Sequence, residues 1–160
     1  MIEQAQPLHL AHGGGTTYRA RGGVYALISP AVTTSGAFSL WEATNPPGTG
    51  VPPHIHSGED EAFYILAGRY TFWTPSGTQE CGPGEFLLVP RGVPHGFQNG
   101  GPADARALIV QSPGGPHERY FAEAWEPVDD LAHLPPEPEP DFAKIKAAAE
   151  RAGIELLPPR

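Results

Sequence analysis

Two histidines one residue apart, His54 and His56, sit in the stretch VPPHIHSGEDEAFYILAG, and a third, His95, follows in GEFLLVPRGVPHGFQN. Imidazole nitrogens are common ligands for divalent transition metals when several converge on one point. In an extended strand alternate side chains share a face, so His54 and His56 point the same way and Ile55 points opposite. Both rings therefore reach one ion. Glu61 shares its parity with Phe63 and Ile65 in the next apolar run, and on a strand its carboxylate enters the same interior. Glu59 and Asp60 offer other carboxylates, but Asp60 has the opposite parity and Glu59 falls in the bend made by SGED.

These side chains need a frame to hold them. A chain of 160 residues is about one ordinary domain. Its Gly and Pro, 20 of each, fall between short apolar runs such as VYALI, AFSLW, AFYIL, FLLVP and ALIV, as turns do in a many-stranded β protein. From about Thr16 to Ser112 the apolar period is nearer two than the helical ~3.6. PHERYFAEAW then places Tyr120, Phe121, Ala124 and Trp125 at helical spacing behind a Pro, which predicts a helix near 116–125. LPPEPEP, at 134–140, reads as an extended acidic linker on the surface. A second helix is predicted over 141–152, capped by Asp141 and stopped by Gly153, with Phe142, Ile145, Ala149 and Ala152 on its inward stripe. The resulting divisions are an N-terminal arm over 1–19, a barrel over 20–112 and a C-terminal helical extension over 113–160.

The formal charge of −8 repels phosphate backbones, which argues against nucleic acid and anionic membrane surfaces as partners and favours a small neutral or aromatic ligand. No apolar run approaches the ~20 residues that span a bilayer, and the opening residues lack the pattern of an export signal. With a single cysteine, these features lead to a cytoplasmic expectation. Cys81, in the turn ECGPGE, is expected to be a partly exposed thiol without a catalytic role. His9, His12, His117 and His133 lie away from both histidine stretches and are expected on the solvated surface.

The two stretches carry a longer pattern. Gly48, five residues, His54-Ile55-His56, four residues, Glu61, six residues and Gly68 form the first part; Gly84, five residues, Pro90, one residue, Gly92, two residues, His95, three residues and Asn99 form the second. Fifteen residues separate Gly68 from Gly84. In this pattern the chain resembles the cupins. The resemblance implies an all-β fold, a jelly-roll barrel of antiparallel strands, with short C-terminal helices outside. It also implies a site of three histidines and one carboxylate, which here would be His54, His56, Glu61 and His95. The glycines and Pro90 have turn-forming work, and Asn99 is expected to bond backbone at the next turn.

Such a ligand set would hold a divalent transition metal, Fe, Mn, Ni, Co, Cu or Zn, as a Lewis acid with open positions. Phe63 and Ile65 on the face of Glu61, Phe97 on that of His95, and Phe72 or its neighbour Trp73 predict an apolar pocket for a flat aromatic substrate. Within the cupins, HIHSGEDEAFYILAGRYTFW and the tail FAKIKAAAERAGIELLPP resemble quercetin 2,3-dioxygenase-like proteins. That likeness implies insertion of O2 into an enolised flavonol or related aromatic, with Glu61 as the base. The alternatives are a polyketide cyclase or isomerase and a non-catalytic binding cupin. A homodimer is likewise implied by resemblance alone.

Overall fold

The computed structural model describes residues 7–134 and 136–159. Strand alternation builds its first sheet. β3 (Ser39–Asn45) and β10 (Ala105–Ser112) bury every second residue, including Trp41 and Ala43 on one and Ala107, Ile109 and Gln111 on the other. They pair antiparallel with Trp41 opposite Ile109, so their inward rows form one wall. β1 (Thr16–Ala20), β2 (Gly23–Ser29), β5 (Asp60–Ala67) and β8 (Phe86–Val89) complete a six-stranded sheet in the order β1-β2-β3-β10-β5-β8. β4 (Gly50–His56), β6 (Tyr70–Thr74), β7 (Gly77–Cys81), β9 (His95–Asn99) and β11 (Ile154–Leu156) make the second sheet, ordered β11-β4-β9-β6-β7. The named pairings are antiparallel throughout, and the all-β jelly-roll expected from the sequence is the fold observed.

Between the sheets the core is aromatic. Phe63 meets Phe72 at 4.8 Å and Phe97 at 5.3 Å between ring centroids. Each such side chain taken out of water stabilises the fold by ~1.5–3 kcal/mol. Three buried polar side chains beside this core pair with one another: Asn45 Nδ2 donates to the Tyr25 hydroxyl at 3.1 Å, and the Tyr70 hydroxyl donates to Asn45 Oδ1 at 3.0 Å. Asn99 does the turn work expected of it, donating to the carbonyls of Asn45 at 2.7 Å and Ala103 at 2.8 Å.

Both predicted helices form outside the strands. α1 (Pro116–Ala124) starts on its proline and is pinned to the first sheet by Glu118, which accepts from the Ala31 amide at 2.5 Å and from the Ser39 hydroxyl. α2 (Phe142–Ala152) is capped by Asp141, whose carboxylate accepts from the Lys144 amide at 3.0 Å, and ends at Gly153 with φ 72°. Only Gly or Asn adopts that conformation readily. The two helices pack on each other.

Three expectations change. β1 begins at Thr16, inside the predicted arm, whose residues 1–6 lie outside the described ones. Phe142 is 74% exposed, because the buried stretch of its stripe starts one turn later, at Ile145, and runs through Ala148 and Ala149. Cys81 is buried, since β7 sets it opposite the core residue Tyr70, and desolvation raises its thiol pKa with help from Glu85. The described part of the linker lies at the surface outside helices and strands, as expected, and is held at one point: Glu137 accepts from the Gly22 amide at 2.8 Å and lies 3.8 Å from Arg19 Nε. Among the described residues no helix is long and apolar enough to cross a membrane.

Candidate metal centre

The site is made where the two sheets face each other. β4 and β9 pair so that His54 stands opposite His95, and β5 brings Glu61 from the other sheet. The β4–β9 register shifts between Val51 and His54, a bulge that contains Pro52 and Pro53, residues without an amide to give to the ladder. Backbones approach closely here, since a Cβ on Gly50 would lie 2.1 Å from the Phe97 carbonyl oxygen. Beyond the bulge His54 and His56 are both buried on one face, as strand parity predicted.

All four side chains are buried, and one ligand atom from each lies within 4.8 Å of the others. His54 Nε2 is 3.0 Å from His56 Nε2, and Glu61 Oε2 is 2.7 Å from His95 Nε2, 3.5 Å from His56 Nε2 and 4.0 Å from His54 Nε2. The remaining ring nitrogens decide the chemistry. His54 Nδ1 is 2.9 Å from the Pro52 carbonyl oxygen and His95 Nδ1 is 3.0 Å from that of Val93, acceptors that require N–H at both positions. In the neutral rings Nε2 then carries a lone pair aimed into the cluster. Converging lone pairs and a carboxylate repel one another unless a cation or protons lie between them, so this donor set fits a divalent transition metal held by His54, His56, His95 and Glu61.

Electrostatics agree. Burial drives the His54 pKa well below its ordinary value, and the neighbouring His56 and His95 push it the same way. Burial would also lower His56, but the carboxylates of Glu61 and Glu59 outweigh it and raise the ring to about 10. For Glu61 burial works upward, yet His56 and His95 prevail and hold the carboxyl well below the usual range. Between burial and neighbouring positive charge, two opposed influences on this carboxylate, positive charge wins.

Other residues enter that the sequence reading placed elsewhere. Glu59 is buried, and its Oε1 stands 2.8 Å from His56 Nδ1. His117, expected on the solvated surface, is on the buried face of α1 with Tyr120 and Phe121, 3.7 Å from Glu59 Oε1, and burial together with His56 lowers its pKa to about 4. Its spacing of three and four residues from Tyr120 and Phe121 is the signal that could have found it. Gln111, a polar residue in the run ALIVQS, donates to Glu61 Oε1 at 2.8 Å and fixes the carboxylate. Asp60 points outward to Arg91 at 3.0 Å, as its parity predicted.

His54 and Glu61 face a cavity of about 270 Å³, closed by Tyr120 and Phe121 from α1 and by Trp125 just beyond its end, and reached by Phe142 and Ile145 from α2. Phe97 lines it. Phe63, Ile65 and Phe72 do not, because they fill the core beside Phe97. The apolar wall is instead supplied largely by Trp41, Ile109 and the helices.

Comparison with known proteins places this geometry. The cupin domain family matches residues 41–111. Protein SchB of Streptomyces halstedii is 35% identical over 71% of this chain and 83% of its own. Quercetin 2,3-dioxygenase of Aspergillus japonicus is 32% identical over 93% of this chain, and that of Bacillus subtilis 29% over 59%. The chain spans only 43% and 28% of those two proteins, respectively. Among solved structures, a predicted oxalate decarboxylase of Thermotoga maritima superposes with a TM-score of 0.59 at 26% identity, covering 66% of this chain and 99% of its own. KdgF of a Halomonas species gives 0.62 at 15% identity over 71% and 98%, a likeness of fold alone. With its two histidine motifs, its facing antiparallel sheets and a relative matched along most of its length, the chain belongs to the cupin family.

Proposed function

We propose that this cupin is a metal-dependent dioxygenase acting on a flat aromatic enol of the flavonol class. The observation that carries the reading is the position of His54 and Glu61 on the wall of an apolar, aromatic cavity. The cavity volume lies just under the ~300–1,000 Å³ of ordinary ligand pockets, which suits a compact ring system. The two quercetin 2,3-dioxygenases among its relatives support the substrate class. Held by His54, His56, His95 and Glu61, a divalent metal would supply Lewis acidity for a substrate hydroxyl.

The chain's own residues do the rest. Glu61 accepts the substrate hydroxyl proton on its carboxylate; because its pKa is held low, it is a weak base that serves only for an acidified hydroxyl. Gln111 holds Glu61 Oε1, which keeps Oε2 turned to the imidazoles. Trp41, Phe121 and Trp125 exclude water and orient the ring plane. A homodimer belongs to the same reading. Tyr64, Leu66, Phe86 and Leu88, exposed on β5 and on the edge strand β8, offer a second copy an apolar sheet face, and light scattering tests for it.

A second reading, a cyclase or isomerase of aromatic polyketides, is favoured by one observation. The chain covers 83% of SchB and 80% of the tetracenomycin polyketide synthase protein TcmJ of Streptomyces glaucescens, and far less of either dioxygenase. Oxygen-electrode measurements on metal-loaded protein with quercetin and a panel of flavonols separate the two. Uptake of one O2 per flavonol consumed is expected. Product formed without uptake supports the second reading, and binding without product supports a non-catalytic module.

A further inference from the structure

His56 Nδ1, Glu59 and His117 Nδ1 form a second cluster, its ligand atoms again within 4.8 Å of one another. Its state is unusual. Glu59 is 2% exposed, and its carboxylate has no polar neighbours but the two imidazoles, His56 Nδ1 at 2.8 Å and His117 Nδ1 at 3.7 Å, neither aligned as a hydrogen bond. A carboxylate buried this deeply costs several kcal/mol unless positive charge sits against it, here the His56 ring or a cation in its place. His54 and His95 each bond a backbone carbonyl through the ring nitrogen turned away from the first cluster, but His56 turns that nitrogen to Glu59 at 2.8 Å without the alignment of a hydrogen bond. His117 lies 3.7 Å from the same oxygen, its ring fixed by Trp41 at 5.6 Å and Phe121 at 5.1 Å.

We propose that His56, Glu59 and His117 bind a second divalent transition metal, with the His56 ring bridging it to the first. Two donors each ~2.1 Å from one tetrahedral zinc stand ~3.4 Å apart; the 2.8 Å from His56 to Glu59 and the 3.7 Å from His117 to Glu59 lie on either side of that spacing, and small side-chain rotations bring all three to one ion. Two imidazole nitrogens and a carboxylate are a donor set for Zn2+ or Cu2+. When the ion arrives the His56 ring gives up its remaining N–H proton to buffer and becomes an imidazolate. The two dications then face the charges of Glu61, Glu59 and that ring. His117 lines the cavity, so the second ion has a route of entry and stands at the wall where a ligand's oxygen atoms would pass.

The test is metal stoichiometry in the full chain, loaded with Zn2+ alone and freed of excess by gel filtration. Two equivalents are expected in the wild type, one in His117→Ala and one in His54→Ala, which lose different ions. Copper loading supplies a second readout: two Cu2+ ions sharing an imidazolate couple, and the EPR spin count falls below the copper content, recovering in His117→Ala. One equivalent in the wild type, abolished by His54→Ala and unchanged by His117→Ala, overturns the second site and leaves the first standing. One equivalent lost in His117→Ala and kept in His54→Ala overturns the first-site assignment instead. Two equivalents with a full spin count overturn the bridge through His56.

Discussion

His95 Nε2 lies 2.7 Å from Glu61 Oε2, while the same ring's Nδ1 is committed to the Val93 carbonyl at 3.0 Å. One ring nitrogen is thus fixed by the chain's own backbone and the other is left to meet a carboxylate from the opposite sheet. Holding a metal depends on that arrangement, and losing one imidazole leaves too few protein donors to compete with buffer. His54→Ala and His95→Ala are each expected to lose the ion held at this cluster on dialysis. His133→Ala, which removes an exposed ring paired with Asp130, is expected to keep it. Elemental analysis checks all three.

Glu61→Gln keeps the size of the side chain and one ligand oxygen but removes its charge and basicity. Three imidazoles remain, so the variant is expected to retain much of its metal. Turnover of a confirmed substrate is expected to fall ~100-fold or more, in the range of general-base contributions. Metal loss as complete as in His54→Ala would instead make the carboxylate chiefly structural. Gln111→Leu, which frees Glu61 Oε1, is expected to lower turnover less than Glu61→Gln does, with metal content unchanged.

Alkaline stability should report on two buried phenols. Burial raises Tyr25 to about 12, against the lesser effects of Asn45 and Arg21, and burial also raises Tyr70. A folded pKa above the unfolded one means that the stabilising effect is complete below pH 10 and is lost as pH climbs toward 12. Stability is therefore expected to fall across that interval, and Tyr25→Phe is expected to flatten the fall. Denaturant midpoints against pH, with tyrosinate absorbance followed in parallel, measure it.

Two phenylalanines should behave oppositely. Phe72 is 0% exposed and packs on Phe63, so Phe72→Ala is expected to cost ~3–5 kcal/mol, read from urea unfolding. Phe142 is 74% exposed at the cavity wall. Its replacement by alanine is expected to change stability by less than ~0.5 kcal/mol while weakening aromatic ligand binding, read by fluorescence titration.

The first cluster was legible in the sequence through parity and motif spacing. Two histidines on one strand face and Glu61 rather than Asp60 follow from the two-residue period, while His95 joined them through the resemblance of its Pro-Gly stretch to the second cupin motif. The same period misled for the pocket. Phe63 and Ile65 do share the face of Glu61, but parity gives the face of a strand and says nothing of depth along it, and these side chains fill the core instead of the cavity. Glu59 stayed hidden in a bend, where alternation gives no direction. His117 was hidden for another reason: its helical stripe was readable, but not the surface that the stripe would cover.

β11 joins the second sheet beside β4, with Leu156 opposite His54 and Ile154 opposite His56, and the Leu157 amide donates to the Pro53 carbonyl at 3.0 Å. The strand that carries His54 and His56 is therefore completed by residues about a hundred positions further along the chain. Contacts so distant in sequence form slowly, because a long loop must close before they contribute. The order of assembly follows: this strand gains its second neighbour only after the intervening chain has folded around it. The outer edge of the candidate site, where β11 lies beside the two histidines of β4, is then among the last parts of the fold to form.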